Sequence, residues 1–121
     1  MNVPAADALG LIVRSAPWEE RSGREALDLA LAAAVMDQPL RLFFLGDGLL
    51  QLVDGRDGSS AGLPLGQKAW ASLPDLVDTT VHCRAQDPLA QSDLAWWLRP
   101  EPLDDNAWQA ALVSCRRLLV L

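Results

Sequence analysis

Two short aliphatic runs, Leu9 to Ser15 and Leu40 to Leu45, flank a stretch with helical spacing, and few residues join each run to it. A strand, a helix and a strand connected this closely form a parallel pair with a right-handed crossover. No other feature narrows the fold as much, because it commits the chain to the α/β class. The first run closes at Ala16-Pro17, as expected of a buried strand. Ser22-Gly23-Arg24-Glu25 then has the capping-box pattern, in which the serine hydroxyl accepts the amide of the third helical residue and the glutamate reaches back to the cap. The spacing predicts a helix from about Gly23 to Met36, stopped before Pro39.

Beyond the second strand, Gly46-Asp47-Gly48 turns the chain into a short apolar helix, Leu49 to Val53, and the Gly/Ser-rich piece from Asp54 to Gly66 reads as a loop inside one domain. Leu65 to Leu73 reads as a helix carrying Trp70. Leu76 to Cys83 reads as a third strand, with Val77, Thr79 and Val81 alternating against Asp78, Thr80 and His82. Asp93 to Leu98, with Trp96 and Trp97, is the expected fourth strand, ended by Arg99-Pro100-Glu101-Pro102. Asp104 or Asp105 caps a last helix through Ser114, and Arg117 to Leu121 is the fifth strand. Residues 1–121 form a single domain on this reading.

Leucine occupies 23 of the 121 positions while Phe and Tyr together supply two, so the core is expected to be aliphatic, with five tryptophans as its large anchors. A domain of this size buries roughly two thirds of the surface its unfolded chain exposes, enough to fold without disulfides or a structural metal. The net charge of −6 and the single lysine, Lys68, argue against direct binding of nucleic acid, since neutralising phosphates takes clustered Lys and Arg. The stretch from Met1 to Asp7 lacks the basic flank and apolar segment of a signal peptide. The longest apolar run, Leu29 to Met36, is far shorter than the ~20 helical residues that cross a bilayer. A soluble cytoplasmic chain with no membrane contact of its own is expected.

Within the first helix, Ala26 to Met36 contains one polar residue, Asp28. Leu27, Leu31, Ala34 and Val35 are spaced to cover the sheet, while Leu29, Ala33 and Met36 must face something else. Two readings fit: a greasy, alanine-diluted flank of a small protein, or a subunit interface built on those three residues.

Candidates for chemistry are few. Gly46-Asp47-Gly48 occupies the place of a phosphate cradle, but it lacks the G-x-G-x-x-G spacing and the P-loop lysine, and Asp47 puts negative charge where a phosphate would sit. One histidine and two cysteines 32 positions apart offer no metal-ligand spacing, and no G-x-S-x-G elbow occurs. Cys83 lies at the C-terminal end of the third strand, where open α/β sheets place their sites, between His82 and Arg84. A nearby cation could lower its thiol pKa, although alternation points both neighbours away from it. A small buried hydrophobe is the other reading of Cys83, and the one assigned to Cys115.

Three stretches resemble the DsrE/DsrF/DsrH-like sulfur-relay family, and within it the C-type (DsrF) subunits. They are Ser15-Ala16-Pro17, Gly23-Arg24-Glu25-Ala26-Leu27-Asp28, and Phe43-Phe44-Leu45-Gly46-Asp47-Gly48-Leu49-Leu50-Gln51-Leu52. The ending, Pro102-Leu103 before a helix and an aliphatic strand, also fits, so the resemblance covers nearly the whole chain. It implies an α/β single-domain three-layer sandwich with a mostly parallel five-stranded sheet and flavodoxin-like topology, the DsrEFH fold, with no cofactor. It implies a subunit of a heterohexamer with DsrE/TusD-like and DsrH/TusB-like partners, passing persulfide sulfur to a downstream sulfur-carrier protein. The sulfur would end in the wobble 2-thiouridine of tRNA or enter sulfur oxidation. In the family the relay cysteine belongs to the D-type subunit, and the C-type subunit mainly holds the assembly together. Cys83 lies near the matching position, but Arg84-Ala85-Gln86-Asp87-Pro88 replaces the alanine-rich helix that follows the relay cysteine. The alternative reading is a direct sulfurtransferase carrying persulfide on Cys83. A nucleotide or flavin binder rests on fold analogy alone.

Overall fold

The computed structural model describes residues 7–16, 20–53 and 65–121, without side chains at 20–23 and 65–68. Most of the expected N-terminal stretch and of the Asp54 to Gly66 loop lies outside these residues. Strands β1 (Leu9–Val13), β2 (Leu40–Phe44), β3 (Thr79–Arg84), β4 (Glu101–Leu103) and β5 (Arg117–Val120) form one sheet in the order β4-β3-β2-β1-β5. Every neighbouring pair is parallel. The helices are α1 (Glu20–Val35), α2 (Leu73–Leu76) and α3 (Asp105–Ser114), with 3-10 segments at Gly46–Leu52 and Leu65–Ser72. The α/β sandwich with five parallel strands is as expected. Its winding runs outward from β1 to β4 and then crosses the whole sheet to β5, unlike the 2-1-3-4-5 order of flavodoxin itself.

That winding determines how the faces are covered. Three successive steps in one direction put α1, the 3-10 segments, α2 and the chain from 85 to 100 on one face, and the return step puts α3, alone among the described residues, on the other. The first face buries Leu11, Val13, Leu40, Leu42, Phe44, Val81 and Cys83 against Ala26, Leu27, Ala30, Ala33 and Ala34 of α1, with Leu49, Leu52, Trp70 and Leu73. Fully burying one of the larger aliphatic or aromatic side chains contributes about 1.5–3 kcal/mol. Trp70 meets Phe44 edge-on at 5.2 Å. On the second face Trp108 of α3 meets Phe43 in the same way, also at 5.2 Å. A five-stranded face is about 20 Å wide at ~4.8 Å per strand, and one helix with its side chains is about 10 Å across, so α3 covers about half of it.

Several expectations are corrected. The first helix begins at Glu20, so Ser22 lies inside it and cannot be the N-cap of a capping box. The buried stripe of α1 is Ala26, Leu27, Ala30, Ala33 and Ala34, rotated from the expected one, so Ala33 enters the core and Val35 is 81% exposed. The fourth strand is Glu101–Leu103 and not Asp93 to Leu98. Trp96 makes only an isolated antiparallel bridge to Val53, and it and Leu98 pack on the core as part of the cover over the sheet. The strand instead takes Pro102, whose missing N–H is tolerated at a sheet edge. Pro74 opens α2, which carries Leu76 in a helical turn and delays the third strand to Thr79. The expected helix from Leu49 is the 3-10 segment Gly46–Leu52, and that from Leu65 is 3-10 up to Ser72. Asp104 caps α3 as expected, its side chain accepting from the Ala107 N–H at 2.8 Å.

Candidate functional site

Strand β3 delivers two reactive side chains to opposite faces. Cys83 enters the first face and is 1% exposed, beneath the chain from 85 to 100. A small cleft of about 70 Å³, lined by Cys83, Ala90, Trp96, Arg99, Pro100 and Pro102, adjoins it. Burial, reinforced by the Asp87 carboxylate and opposed by Arg99, pushes the Cys83 thiol up to about 11. At pH 7 about one thiol in ten thousand is then ionised. The position of Asp87 explains part of this. Its carboxylate accepts from the Gly46 N–H at 3.1 Å and the Leu89 N–H at 2.9 Å, tying together the turns after β2 and β3. The stretch after Cys83 thus brings a negative charge towards the sulfur, where a long helix would have brought a positive dipole end.

His82 points to the second face and does not pair with Cys83. It is 9% exposed, with Nε2 2.9 Å from Thr80 Oγ1, Nδ1 3.2 Å from Glu101 Oε1, and its ring 5.4 Å from that of Phe43. Burial lowers its pKa, opposed by Glu101 and aided by Arg41. Arg84 donates to Asp105 at 2.7 Å, and with Gln86 it holds that carboxyl below its usual range. Cys115 is half-buried, with Sγ 3.4 Å from the Ala111 carbonyl, and burial raises its thiol pKa too. It lies against Gly10 on the second face, across the sheet from Cys83.

In the turn after β2 two of the three backbone amides are already engaged. The Gly46 N–H is spent on Asp87 and the Gly48 N–H on the Leu45 carbonyl at 2.9 Å. Gly46 has φ +51°, and a Cβ on Gly48 would stand 2.2 Å from the Val13 carbonyl oxygen, so both glycines answer to geometry. The glutamine of the same stretch is structural. Gln51 is 1% exposed, donates to the Ser15 carbonyl at 2.7 Å and accepts from Trp70 Nε1 at 3.0 Å. Its only signal in the sequence was its place in the Phe43 to Leu52 pattern.

Of the residues expected at an interface, Ala33 is taken up by the core, Leu29 is half-buried against it and Met36 is 80% exposed. Among the described residues no group of His, Cys, Asp and Glu is placed to hold a metal, and no helix is long and apolar enough to cross a membrane.

A single domain with a wholly parallel five-stranded sheet, a switch of winding after β4 and a cysteine at the end of β3 defines the class. The chain belongs to the DsrE/DsrF-like family, whose pattern matches residues 7–85. It is 34% identical over 120 residues to the protein TusC homolog of Pseudomonas aeruginosa, covering 96% of this chain and 99% of that protein. It is 34% identical over 87 residues to the TusC homolog of Vibrio parahaemolyticus, covering 72% and 73% of the two chains. The crystal structure of the ychN protein from E. coli superposes with a TM-score of 0.76 at 17% identity, covering 95% of this chain and 99% of that one. The last likeness concerns the fold.

Proposed function

We propose that the chain is a non-catalytic subunit of a cytoplasmic persulfide-relay complex, assembled with DsrE/TusD-like and DsrH/TusB-like chains as a heterohexamer. The observation that carries this reading is the kinship with a TusC homolog along 96% of the chain. The chemistry served is thiolate exchange: an acceptor thiolate attacks the outer sulfur of a donor persulfide, a new S–S bond forms, and the inner sulfur leaves as a thiolate with no net oxidation. The acceptor must be ionised and reachable. Cys83 is buried with its pKa pushed to about 11, which supports a holding role for this chain. The sulfur passes to a downstream carrier protein and serves thiolation of the tRNA wobble uridine. Sulfur oxidation is the other destination the family allows. Co-expression with DsrE-like and DsrH-like chains, followed by size analysis, tests the reading. A single co-migrating assembly is expected, and recovery of this chain only as a monomer contradicts it.

One observation favours a second reading, with Cys83 as a carrier: Arg99 lines the cleft beside the sulfur and favours the thiolate. Exposure to a persulfide donor and mass analysis separates the two. The first reading expects no added sulfur on this chain; a gain of one sulfur that Cys83→Ser abolishes establishes the second.

A further inference from the structure

The two edges of the sheet differ. β4 is three residues long and carries Glu101 and Pro102, which discourage pairing. β5 carries Leu118, Leu119 and Val120 with no proline. The Leu121 N–H donates to the Ile12 carbonyl, so by alternation Leu119 also turns its backbone to β1, and the backbone groups of Leu118 and Val120 point to the open edge. Their side chains, 39% and 54% exposed, lie over Gly10 and Ile12 on the half of the second face that lies away from the strands α3 packs on. Parallel sheets are ordinarily covered on both faces.

Three arginines gather around this edge on a chain whose net charge is −6. Arg24, Arg41 and Arg84 pair with Asp28, Asp78 and Asp105. Arg116 and Arg117 at the start of β5, and Arg14 beside its end, are exposed and pair with no described carboxylate. A cleft of about 190 Å³, lined by Ala8, Leu9, Gln38, Arg116 and Arg117, opens at the same end. Its two guanidinium groups suit a carboxylate side chain.

We propose that the β5 edge and this arginine cleft form one docking surface, whose occupant is a different chain presenting an aliphatic segment bracketed by carboxylates. Added backbone pairing at the edge, apolar cover over Leu118 and Val120, and an acidic side chain in the cleft are its three elements. A second copy of this chain is disfavoured, because two-fold antiparallel pairing of β5 sets Arg116 and Arg117 of one copy towards Arg14 of the other. The proposal rests on the relay-subunit reading, which supplies a heteromeric assembly.

The test compares binding of wild type, Arg116→Glu/Arg117→Glu, Val120→Glu and a distant exposed control, Leu76→Glu, to co-expressed DsrE-like and DsrH-like chains. Binding is measured at low and moderate salt, with each variant's fold checked by circular dichroism. The arginine reversal is expected to weaken binding at least tenfold at low salt and to flatten the salt dependence. Val120→Glu is expected to weaken it at least tenfold at both, with Leu76→Glu unchanged. If Val120→Glu does not fold, the exposed arginine variant decides. Wild-type assembly with undiminished binding of the arginine variant overturns the surface and leaves the relay reading standing. Failure of wild type to bind either chain overturns both, and a stable homodimer of the isolated chain overturns the choice of occupant.

Discussion

Cys83 keeps its proton in the folded chain up to about pH 11, whereas an unperturbed thiol releases it near 9.0. The folded state therefore holds that proton more tightly. The stability this contributes is full below about pH 9 and is lost as pH rises to about 11. The sequence has no tyrosine and one lysine, so apart from Cys115 few groups titrate in that window. Denaturant titrations are expected to show wild type losing on the order of 2 kcal/mol across it, and Cys83→Ala clearly less. An identical alkaline limb in the variant contradicts the assignment. Gln51 carries a second residue-scale expectation. Gln51→Leu leaves Trp70 Nε1 and the Ser15 carbonyl buried without their partner, and is expected to cost about 2–3 kcal/mol in denaturant unfolding. The role of Gln51 was not legible beforehand, and for Cys83 the buried reading stood as one of two. The alternation of β3 did place Cys83 and His82 on opposite faces, but the burial of the sulfur depends on how the chain from 85 to 100 returns across the sheet.

The elements that could be read from the sequence were those whose local chemistry agrees with their tertiary setting. β1, β2, β5 and the Asp104 cap of α3 fall close to where the aliphatic runs and the capping aspartate put them. The fourth strand was not legible, because Trp96 and Trp97 suggest a strand while Glu101 and Pro102 suggest its end. The sheet edge tolerates the proline, and the indole is worth more as core cover. The start of α1 was misread for a related reason: Ser22 and Glu25 have capping-box spacing, yet the chain already turns helical at Glu20. Its other end is well defined. The Gln38 N–H reaches the Ala33 carbonyl and the Asp37 N–H the Ala34 carbonyl, both at 3.0 Å, with Asp37 at φ 58°. This is a Schellman ending with an aspartate where glycine is favoured. Asp37→Gly is expected to stabilise the chain by about 0.5–1 kcal/mol, raising Tm by about 2–4 °C. A lowered Tm contradicts this account of the turn.

At the scale of the molecule, the leucine-rich composition divides between two faces of unequal cover. The first is sealed by α1, the 3-10 segments and the returning chain, whereas among the described residues the second has one ten-residue helix for five strands. The sequence pointed to surplus apolar surface but placed it on the first helix, where Ala33 proved to be core and Val35 and Met36 remain exposed. The larger shortfall of cover follows from the strand order, which sends a single crossover to the second face and which no local pattern reveals. On the proposed reading, a chain whose described residues leave half of one sheet face without a helix, and whose cysteine is buried and protonated, is held among partners while sulfur passes through their thiols. The most direct measurement is persulfide transfer through the co-expressed complex with Cys83→Ala in this chain. Transfer at the wild-type rate through an intact assembly is predicted; loss of transfer with the assembly intact would contradict it.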